Sequence, residues 1–521
     1  MTNKEVFEIE SNKPFSESLI WQLNRDFYQQ QGISAWSDNV VPHHMTSNSM
    51  VGKTYAELIL GLLKDLAGKG QLDETVYLIE LGAGHGRLGF HILKHLERLV
   101  SALTVELPSY CYVLSDIVED NLSFFEKHPQ FQKYLENGTL DVAYFDAIHS
   151  EVLELRYSKK TIQPETLNQP LVAIANYFFD SLPNDLFQIK EEVISATSVS
   201  LHSKENPKGM DAATLINNVE LTFSNSVIKN PFYIQPIFNE ILEDYRTLVS
   251  DTYLYFPYQG MVCLTNLRNF SSKGLMLLSM DKGFHEISEL ENKKEPDIVT
   301  HGSFSLWVNY HTLGRFCEKQ NGKVLFPEFS TFHLDIACLL FLPEGETYRQ
   351  TDIAYQRFVN DFGPDDFNSI KKIAYFNVGR LATKEFIALV RLSAYDSTFF
   401  IKLLPRLKQL IQRVSVSERN RIGQTMHQVW NMYFSIGESF DLAYELAGIF
   451  YDLGFYTEAL DFFGYSINLF GIKSDIYYNK ALCYYQLQQD DLFYKTLNEG
   501  KVAFPGSAML EKLDELDMTA I

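Results

Sequence analysis

The chain has 521 residues, of which 46% are hydrophobic and 21% are charged, a composition typical of folded globular proteins. This length excludes a single small domain and predicts about two to four domains, because one hydrophobic core rarely grows beyond ~300 residues. The formal net charge of −21 disfavours a nucleic-acid binder, since phosphate contacts need clustered Lys and Arg.

Cysteine usage and hydropathy indicate a cytoplasmic protein without a metal centre or a membrane segment. The five cysteines are scattered and form no CxxC pair, so we expect neither a disulfide framework nor a cysteine zinc site. No stretch approaches 18 uninterrupted apolar residues, and the mixed, acidic N-terminus lacks the apolar segment of a secretion signal. The cysteines are Cys111, Cys263, Cys317, Cys338 and Cys483.

The first part of the chain alternates between helix and strand patterns. Helical periodicity covers residues 15–68, 87–100 and 118–135. Short apolar runs that predict buried strands cover residues 76–81, 110–116, 140–145 and 171–175. Because strands and helices alternate, we expect a parallel, doubly wound α/β sheet.

The pattern changes after residue 190. Leu201–Ser226 is polar and strand-like, which predicts an antiparallel insertion at about 190–260. A strand–helix–strand unit that would close the sheet is predicted over residues 274–280, 303–320 and 323–326. We therefore expect one domain over residues 1–345.

The remainder, residues 346–521, is predicted to be an all-α domain with an internal repeat. An offset of 34 residues places Ala447 on Ala481 and Phe463 on Leu497, and the second unit ends in Phe504-Pro505. The period, the small residues and the aromatic positions resemble the tetratricopeptide repeat, most clearly over residues 440–505. An ordinary helical bundle is the alternative.

A glycine-rich loop follows the first strand. It reads Glu80-Leu-Gly82-Ala-Gly84-His-Gly86 and opens a helix. Glycines are needed where a backbone turns sharply and approaches a ligand, and the helix N-terminus offers a positive dipole end. The loop therefore predicts a site for a nucleotide-like ligand such as S-adenosylmethionine (SAM), with a tight turn without a ligand as the alternative. Asp116, at the end of the second strand, is a candidate acceptor of ribose hydroxyls.

The same loop contains Gly84-x-Gly86-x-x-Gly89, which is also a dinucleotide fingerprint. Dehydrogenases place an acid about 20 residues further on, and Glu106 lies near that distance but precedes the second strand. An NAD-type oxidoreductase is therefore the main competing function. The E-x-G-x-G-x-G form resembles motif I of class I methyltransferases more than that of a dehydrogenase.

Asn176-Tyr-Phe-Phe-Asp180-Ser-Leu-Pro183 follows the fourth strand, at the sheet edge where α/β proteins bind ligands. It resembles the N/H-E-F-F-D-A-L-P signature of MidA-like methyltransferases, a SAM-dependent family that includes a complex I assembly factor which methylates protein arginine. Further resembling pieces, in the same order as in that family, are Thr46-Ser47 with Tyr55-Ala-Glu57-Leu58, Gly82–Leu88, Gly274–Gly283 and His301–Phe304.

The resemblance spans roughly residues 20–330 and implies a Rossmann-like class I methyltransferase domain. It implies SAM as the cofactor, bound by Glu80, Gly82, Gly84, Gly86, Asp116 and Asp146. Asp146, after the third strand, would contact the adenine amino group, and an ordinary helix N-cap is the alternative for this residue. On the acceptor side we expect Asp180 as the carboxylate and Asn176 as a positioning group.

Four positions, in three segments, depart from the family pattern. Tyr177 and Asn48-Ser49 stand where the family has glutamate and Pro-Glu, and Lys282 stands where it has tyrosine. A guanidinium needs carboxylates for bidentate binding, so these departures leave the acceptor open. We expect a protein acceptor or partner, recruited by the C-terminal repeats, and no nucleic acid or membrane.

Two further alternatives remain open at this stage. A degenerate SAM fold serving as a non-catalytic scaffold fits the departures, and a nucleic-acid methyltransferase is loosely suggested by Asn176-Tyr-Phe-Phe. Four histidines lie in or near the motifs, but no convincing third metal ligand accompanies them, so we expect no metal. These histidines are His43, His44, His85 and His301.

Overall fold

The computed structural model describes residues 7–37, 45–296, 299–300 and 303–514. Internal contacts divide the chain after Asn368 into an N-terminal and a C-terminal unit. The predicted α/β core and the helical C-terminal region are both confirmed. Within the described ranges, no helix is both long and apolar enough to cross a membrane.

The N-terminal unit contains all the strands of the described residues. They are β1 (Phe7–Pro14), β2 (Val76–Glu80), β3 (Tyr110–Asp116), β4 (Leu140–Tyr144), β5 (Leu153–Glu154), β6 (Thr161–Ile162), β7 (Leu171–Asn176), β8 (Asp185–Lys190), β9 (Val193–Ser203), β10 (Val219–Val227), β11 (Asp251–Phe256), β12 (Leu275–Phe284), β13 (Val299–Thr300), β14 (Phe304–Ser305), β15 (Val308–Asn309), β16 (Lys323–Leu325) and β17 (Leu334–Phe341).

The same unit contains twelve α-helices among the described residues. They are α1 (Leu19–Gln31), α2 (Ser34–Ser37), α3 (Ser49–Gly68), α4 (Arg87–Ser101), α5 (Glu119–Lys127), α6 (Pro129–Glu136), α7 (Ala212–Asn218), α8 (Pro236–Leu248), α9 (Tyr258–Asn269), α10 (Tyr310–Glu318), α11 (Arg349–Tyr355) and α12 (Pro364–Phe376), the last of which crosses the division after Asn368.

The main sheet has the strand order β16-β17-β12-β7-β2-β3-β4, with β15 pairing at the far end of β12. Strands β4, β3, β2, β7 and β12 run parallel, and β17 runs antiparallel to β12. The chain steps outwards from β2 to β4 and then returns to the other side of β2 with β7. The carboxyl ends of β2 and β7 therefore lie where the strand order reverses, which is where open α/β sheets bind ligands.

A second, antiparallel sheet is formed mainly by the segment between β7 and β12. Strands β1, β9, β8 and β11 are neighbours in it, and β10 pairs with β9. The strand-like segment Leu201–Ser226 lies here, although it is interrupted by helix α7. Strand β1, which the sequence patterns do not predict, pairs with β9 across almost 190 residues of chain.

The single helix predicted over residues 118–135 is wrong, because the chain forms two helices there. Helix α5 ends at Lys127, and α6 begins at Pro129. Proline has no N–H to donate and clashes with the preceding helical turn, but it suits the first position of a new helix. His128 caps α6 through Nδ1, which accepts from the N–H of Gln130 at 3.3 Å.

The domain boundary at residue 345 stays a prediction, and helix α11, which follows it, is hydrogen-bonded to α3. The Asp65 carboxylate accepts the N–H groups of Gln350 and Thr351 and the Thr351 hydroxyl at 2.9–3.0 Å. A Cβ on Gly61 would lie 2.9 Å from the backbone of Gln350 and Thr351, so only glycine permits this close packing.

The C-terminal unit contains only helices within the described residues. They are α13 (Thr383–Leu392), α14 (Ser397–Leu410), α15 (Val416–Asn431), α16 (Leu442–Asp452), α17 (Tyr456–Phe470), α18 (Ser474–Gln486), α19 (Asp490–Ala503) and α20 (Ala508–Asp514).

Consecutive helices of this unit pack as pairs, α16 with α17 and α18 with α19. Helices α17 and α19 begin 34 residues apart, at Tyr456 and Asp490. The small residues Ala447 and Ala481 are both fully buried. The identity of these pairs as tetratricopeptide repeats stays a prediction.

Candidate active site

A cavity of about 930 Å³ opens at the carboxyl ends of β2, β3, β4, β7 and β12. Its walls include the glycine loop after β2 and the segment after β7, and residues 16–36 and 303–307 also line it. Ligand sites in proteins commonly enclose ~300–1,000 Å³. The cavity is therefore large enough for a nucleotide-sized donor and part of a second molecule.

The glycine loop has a backbone that side chains rarely permit. Gly82, Gly84 and Gly86 have φ angles of +61°, +59° and +74°, all in the left-handed region. The Leu81 N–H donates to the carbonyl of Ile174 and the Ala83 N–H to that of Ser115, both at 2.8 Å. The loop is thus fixed between two strands, with the positive end of α4 directed towards it.

Trp36 of α2 lies directly over this loop, although no sequence pattern identifies it. A Cβ added to Gly84 would lie 2.9 Å from the indole ring. The ring stacks on Tyr28 at a centroid distance of 6.0 Å and meets His85 edge-on at 5.6 Å. The glycine loop is therefore covered by an aromatic ring that the N-terminal segment contributes.

Glu80 lies beneath the loop rather than free in the cavity. Its Oε2 accepts from the Tyr112 hydroxyl at 2.8 Å, and burial, with the nearby Asp116 charge, raises the pKa of Glu80 to about 8. A Cβ on Gly89 would lie 2.7 Å from the same oxygen. The last glycine of the G-x-G-x-x-G pattern is thus explained by packing around Glu80.

Asp116 ties the loop to the second strand. Its Oδ2 accepts from the N–H of Gly84 at 2.8 Å, and its Oδ1 accepts from the N–H of Val118 at 2.9 Å. Burial raises the pKa of this carboxyl, and the two backbone hydrogen bonds oppose the rise. Glu106, the acid at the dinucleotide spacing, is exposed and does not line the cavity.

Asp146 is held by an arginine from the N-terminal segment. Nη2 of Arg25 in α1 lies 2.5 Å from Asp146 Oδ2, and the other carboxylate oxygen accepts from the N–H of Ile148 at 3.0 Å. Burial by itself raises the pKa of Asp146, but the Arg25 hydrogen bond and charge outweigh it, so the pKa is lowered overall. Both side chains line the cavity.

Replacing Arg25 by alanine is expected to destabilise the fold at neutral pH by about 1–3 kcal/mol, because a buried carboxylate loses a charged hydrogen bond. Since the folded-state pKa of Asp146 is lowered, this contribution is present above the ordinary aspartate pKa of about 3.9 and disappears as the pH falls through the folded value.

Urea unfolding at pH 7 and pH 3 checks this expectation. Arg156→Ala is the matched control, because Arg156 pairs with Glu119, whose side chain is 66% exposed, and exposed pairs contribute less than about 1 kcal/mol. Equal losses for the two variants at pH 7 would contradict a special role for the Arg25 pair.

Both polar atoms of the Asn176 side chain are hydrogen-bonded to other groups of the protein. Its Oδ1 accepts from the Tyr55 hydroxyl at 2.6 Å and from the Met280 N–H at 3.0 Å, and its Nδ2 donates to the Thr46 carbonyl at 2.9 Å. The side chain therefore joins α3, β7 and β12 at the cavity wall. This geometry suits a positioning group rather than one that performs chemistry.

Two of the residues that depart from the pattern of MidA-like methyltransferases can be placed in the structure, namely Asn48 and Tyr177. Asn48 caps α3 by accepting from the N–H groups of Met50 and Val51 at 3.0 and 3.1 Å. Tyr177 has a φ of +48°, which is costly for a residue with a side chain. Its side chain lines the cavity beside Asp180.

Asp180 lies in a short 3-10 turn after β7 and is only 7% exposed. The structure brings a second carboxylate close to it, from Asp281 on β12, which is fully buried and also lines the cavity. Burial is the largest cause that raises the pKa of both carboxyls. Sequence reasoning missed Asp281 as a site residue, although it lies in the Gly274–Gly283 motif.

The structure thus gathers most of the predicted site residues around one cavity. Gly86 is adjacent to the lining and caps α4, and the others line the cavity, namely Glu80, Gly82, Gly84, Asp116, Asp146, Asn176 and Asp180. His43, His44 and His301 lie outside the described residues, whereas His85 lines the cavity. Among the described residues, no group of three or more His, Cys, Asp or Glu side chains is arranged to hold a metal.

A comparison with protein families matches the part of the chain that contains most of the cavity-lining residues described above. Residues 59–295 match the family described as "Putative S-adenosyl-L-methionine-dependent methyltransferase". A search of curated proteins gave no match. The matched segment runs from α3 to the end of the loop after β12 and includes the glycine loop, Asp116, Asp146, Asn176, Asp180 and Asp281.

Two solved structures from Burkholderia thailandensis share 15% sequence identity with the chain. An uncharacterized superfamily protein covers 60% of this chain and 72% of its own, with a TM-score of 0.37. A member of the same superfamily, bound to S-adenosyl-homocysteine, covers 60% of this chain and 73% of its own, with a TM-score of 0.39. Residues 59–295 are thus similar to a family of SAM-dependent methyltransferases, and SAM is the cofactor that this family match assigns to them.

Proposed function

We propose that the chain is a class I SAM-dependent methyltransferase with its donor site at the glycine loop. The observation that carries the proposal is the cavity where three left-handed glycines and the acids Asp116 and Asp146 meet, inside the segment that matches the family. Counted along the chain, the five parallel strands have the order 3-2-1-4-5, which supports a Rossmann-like sheet.

The residues present fit this donor. The loop offers a backbone without side chains, which permits close approach of a ligand, and the α4 dipole favours a carboxylate there. Asp116 has lone pairs left on both oxygens for ribose hydroxyls after accepting two backbone N–H groups. When bound, SAM supplies an activated methyl group, so the protein mainly has to align the acceptor and manage its proton.

Binding of SAM to the full chain, measured by calorimetry, tests this proposal directly. We expect saturable binding of SAM and S-adenosylhomocysteine, and no comparable binding of NAD. Tighter binding of NAD would favour an oxidoreductase. Binding of SAM without any methyl transfer to a protein extract would favour the non-catalytic scaffold.

We further propose that the acceptor is a protein and that the C-terminal helical unit recruits it. Stacked helix pairs such as α16–α17 and α18–α19 present extended binding surfaces rather than catalytic centres. The donor-site residues all lie in the N-terminal unit. Recruitment and chemistry would then depend on different parts of the chain.

A chain that ends at Asn377, just after α12, is therefore expected to bind SAM within about threefold of the full-length affinity, a difference below 1 kcal/mol. Its methyl transfer to a protein extract is expected to fall, because the acceptor binds more weakly. Calorimetry and transfer of labelled methyl groups check the two parts, after circular dichroism has shown that the shortened chain is folded. Unchanged transfer would argue that the helical unit does not recruit the acceptor.

A further inference from the structure

Two buried carboxylates form the acceptor side of the cavity. Asp180 follows β7 and Asp281 lies on β12, which is the parallel neighbour of β7. The side chains are 101 positions apart in sequence, but the parallel register places Asn176 opposite Met280, next to Asp281. Both carboxylates therefore come from the carboxyl ends of adjacent strands.

Each carboxylate has one oxygen without a partner among the described residues. These atoms are Asp180 Oδ1 and Asp281 Oδ2, and both are shielded from solvent by the protein. Asp281 Oδ1 accepts from the N–H of Lys282 at 2.8 Å. Because an unpaired buried carboxylate oxygen is costly, the arrangement indicates that a proton or a ligand group completes it.

Among the described residues, the surroundings balance at most one negative charge. Within those ranges Lys282 is the cation that acts on both carboxylates, and its own side chain is exposed. In the described part of the chain, the other titratable groups that face the pair are the hydroxyls of Tyr28, Tyr177 and Tyr55. These hydroxyls donate hydrogen bonds but carry no positive charge. Two adjacent buried carboxylates cannot both ionise at little cost when their charges repel each other in a low-dielectric site.

We propose that Asp180 and Asp281 hold one proton between them and act together as the acid–base pair for the methyl acceptor. The proposal rests on the proposed methyltransferase function. It assigns Asp281 a catalytic role beside Asp180. It also defines the acceptor as a neutral nucleophile whose N–H or O–H group donates to the ionised carboxylate oxygen.

In the reaction, the lone pair of the acceptor nitrogen or oxygen forms the bond to the methyl carbon. The bond from that carbon to sulfur breaks, and its electron pair stays on sulfur. The acceptor proton passes to the ionised member of the pair. An anionic acceptor, such as a carboxylate or a thiolate, is excluded by repulsion from the pair and has no proton for it to take.

Difference infrared spectroscopy on the full chain tests the shared proton. At pH 7, the wild type should show the carbonyl stretch of a protonated carboxylic acid, and this band should weaken in Asp180→Asn and in Asp281→Asn. In the double variant only the part of the band that belongs to Glu80, whose pKa is raised to about 8, should remain. Asp73→Asn, at an exposed position, is the control and should leave the band unchanged. If the band is unchanged in one of the two single variants, the proton resides on the carboxylate that this variant retains. The proposal of a proton shared by Asp180 and Asp281 is then wrong.

The pH dependence of unfolding is a second measurement that needs no acceptor. A carboxyl whose folded-state pKa is raised stabilises the fold fully below the unfolded pKa of about 3.9, and this stabilisation is lost as the pH rises through the folded value. Relative to the double variant, the unfolding constant of the wild type should therefore rise an additional ~tenfold per pH unit from about pH 5 up to the folded-state pKa of the pair, and the extra rise should stop above that pKa. Parallel pH profiles would overturn the proposal.

Measuring methyl transfer together with SAM binding distinguishes a failure of the acid–base pair from a failure of the proposed methyltransferase function. With labelled SAM and a protein extract lacking this enzyme, Asp281→Asn should lose on the order of 100-fold in transfer rate, while its SAM affinity stays within about threefold. Transfer within threefold of the wild type would overturn the catalytic role of Asp281. Absence of SAM binding by the wild type would contradict the proposed function instead.

Discussion

Replacing Gly84 by valine is expected to weaken SAM binding about 100-fold or more, which corresponds to about 2.7 kcal/mol. Two effects act together. A β-branched residue is strained at the φ of +59° that Gly84 adopts, at a cost of about 1–3 kcal/mol. The new side chain also starts 2.9 Å from the Trp36 ring, so the loop or the ring must move.

Calorimetry with SAM measures this loss, and urea unfolding measures how much stability the variant retains. Gly70→Val is the matched control, because Gly70 has a similar φ of +73° but nothing within 4 Å of its Cβ position. The control should lose stability to backbone strain and keep its SAM affinity. If a folded Gly84→Val variant binds SAM as the wild type does, the glycine loop is not the donor site.

Replacing Asp116 by alanine is expected to weaken SAM binding tenfold to a hundredfold, which corresponds to about 1.4–2.7 kcal/mol. The carboxylate is proposed to accept from ribose hydroxyls, and charge-assisted hydrogen bonds contribute about 1.5–3 kcal/mol. The same change removes the acceptor of the Gly84 N–H, so the loop also loses its tie to β3.

Asp116 is expected to contribute to SAM binding through the ribose and to stability through the Gly84 N–H. Measuring stability together with SAM affinity separates these two contributions. Asp116→Asn keeps the size of the side chain, and Asp120→Ala changes an exposed acid on α5. We expect the asparagine variant to retain most of its stability but still to bind SAM more weakly, and Asp120→Ala to behave as the wild type. A change below twofold for Asp116→Ala would remove the ribose assignment.

The strands that position the cavity are predictable from the sequence for a physical reason. Strands such as β2 and β7 are buried on both faces and therefore appear as uninterrupted apolar runs. Strand β3 is found at the predicted bounds, Tyr110–Asp116. Strand β1 is not predictable in this way, because its sequence FEIESNKP is largely exposed and offers only Phe7 and Ile9 as apolar residues.

The glycine loop is predictable from the sequence, whereas the residues from distant segments that contact the same cavity are not. Glycines after a strand and before a helix are a local pattern, and Asp116 ends the next predicted strand, so both can be proposed as candidates from the sequence alone. The Arg25–Asp146 pair spans 121 positions, and no periodicity relates the two residues. Asp281 lies in a recognisable motif, but its relation to Asp180 depends on the parallel pairing of β7 with β12.

The position of β1 has a consequence for the synthesis of the chain. Its partner β9 is made about 180 residues later, which takes roughly 10–40 s at ~5–20 residues per second. During that time the strand has no partner for its hydrogen-bonding edge, and such edges invite aggregation unless charged residues interrupt them. Glu8, Glu10 and Lys13 provide those charges. Glu10 and Lys13 also line the cavity, so on the ribosome this wall of the site can be assembled only after β9 has emerged.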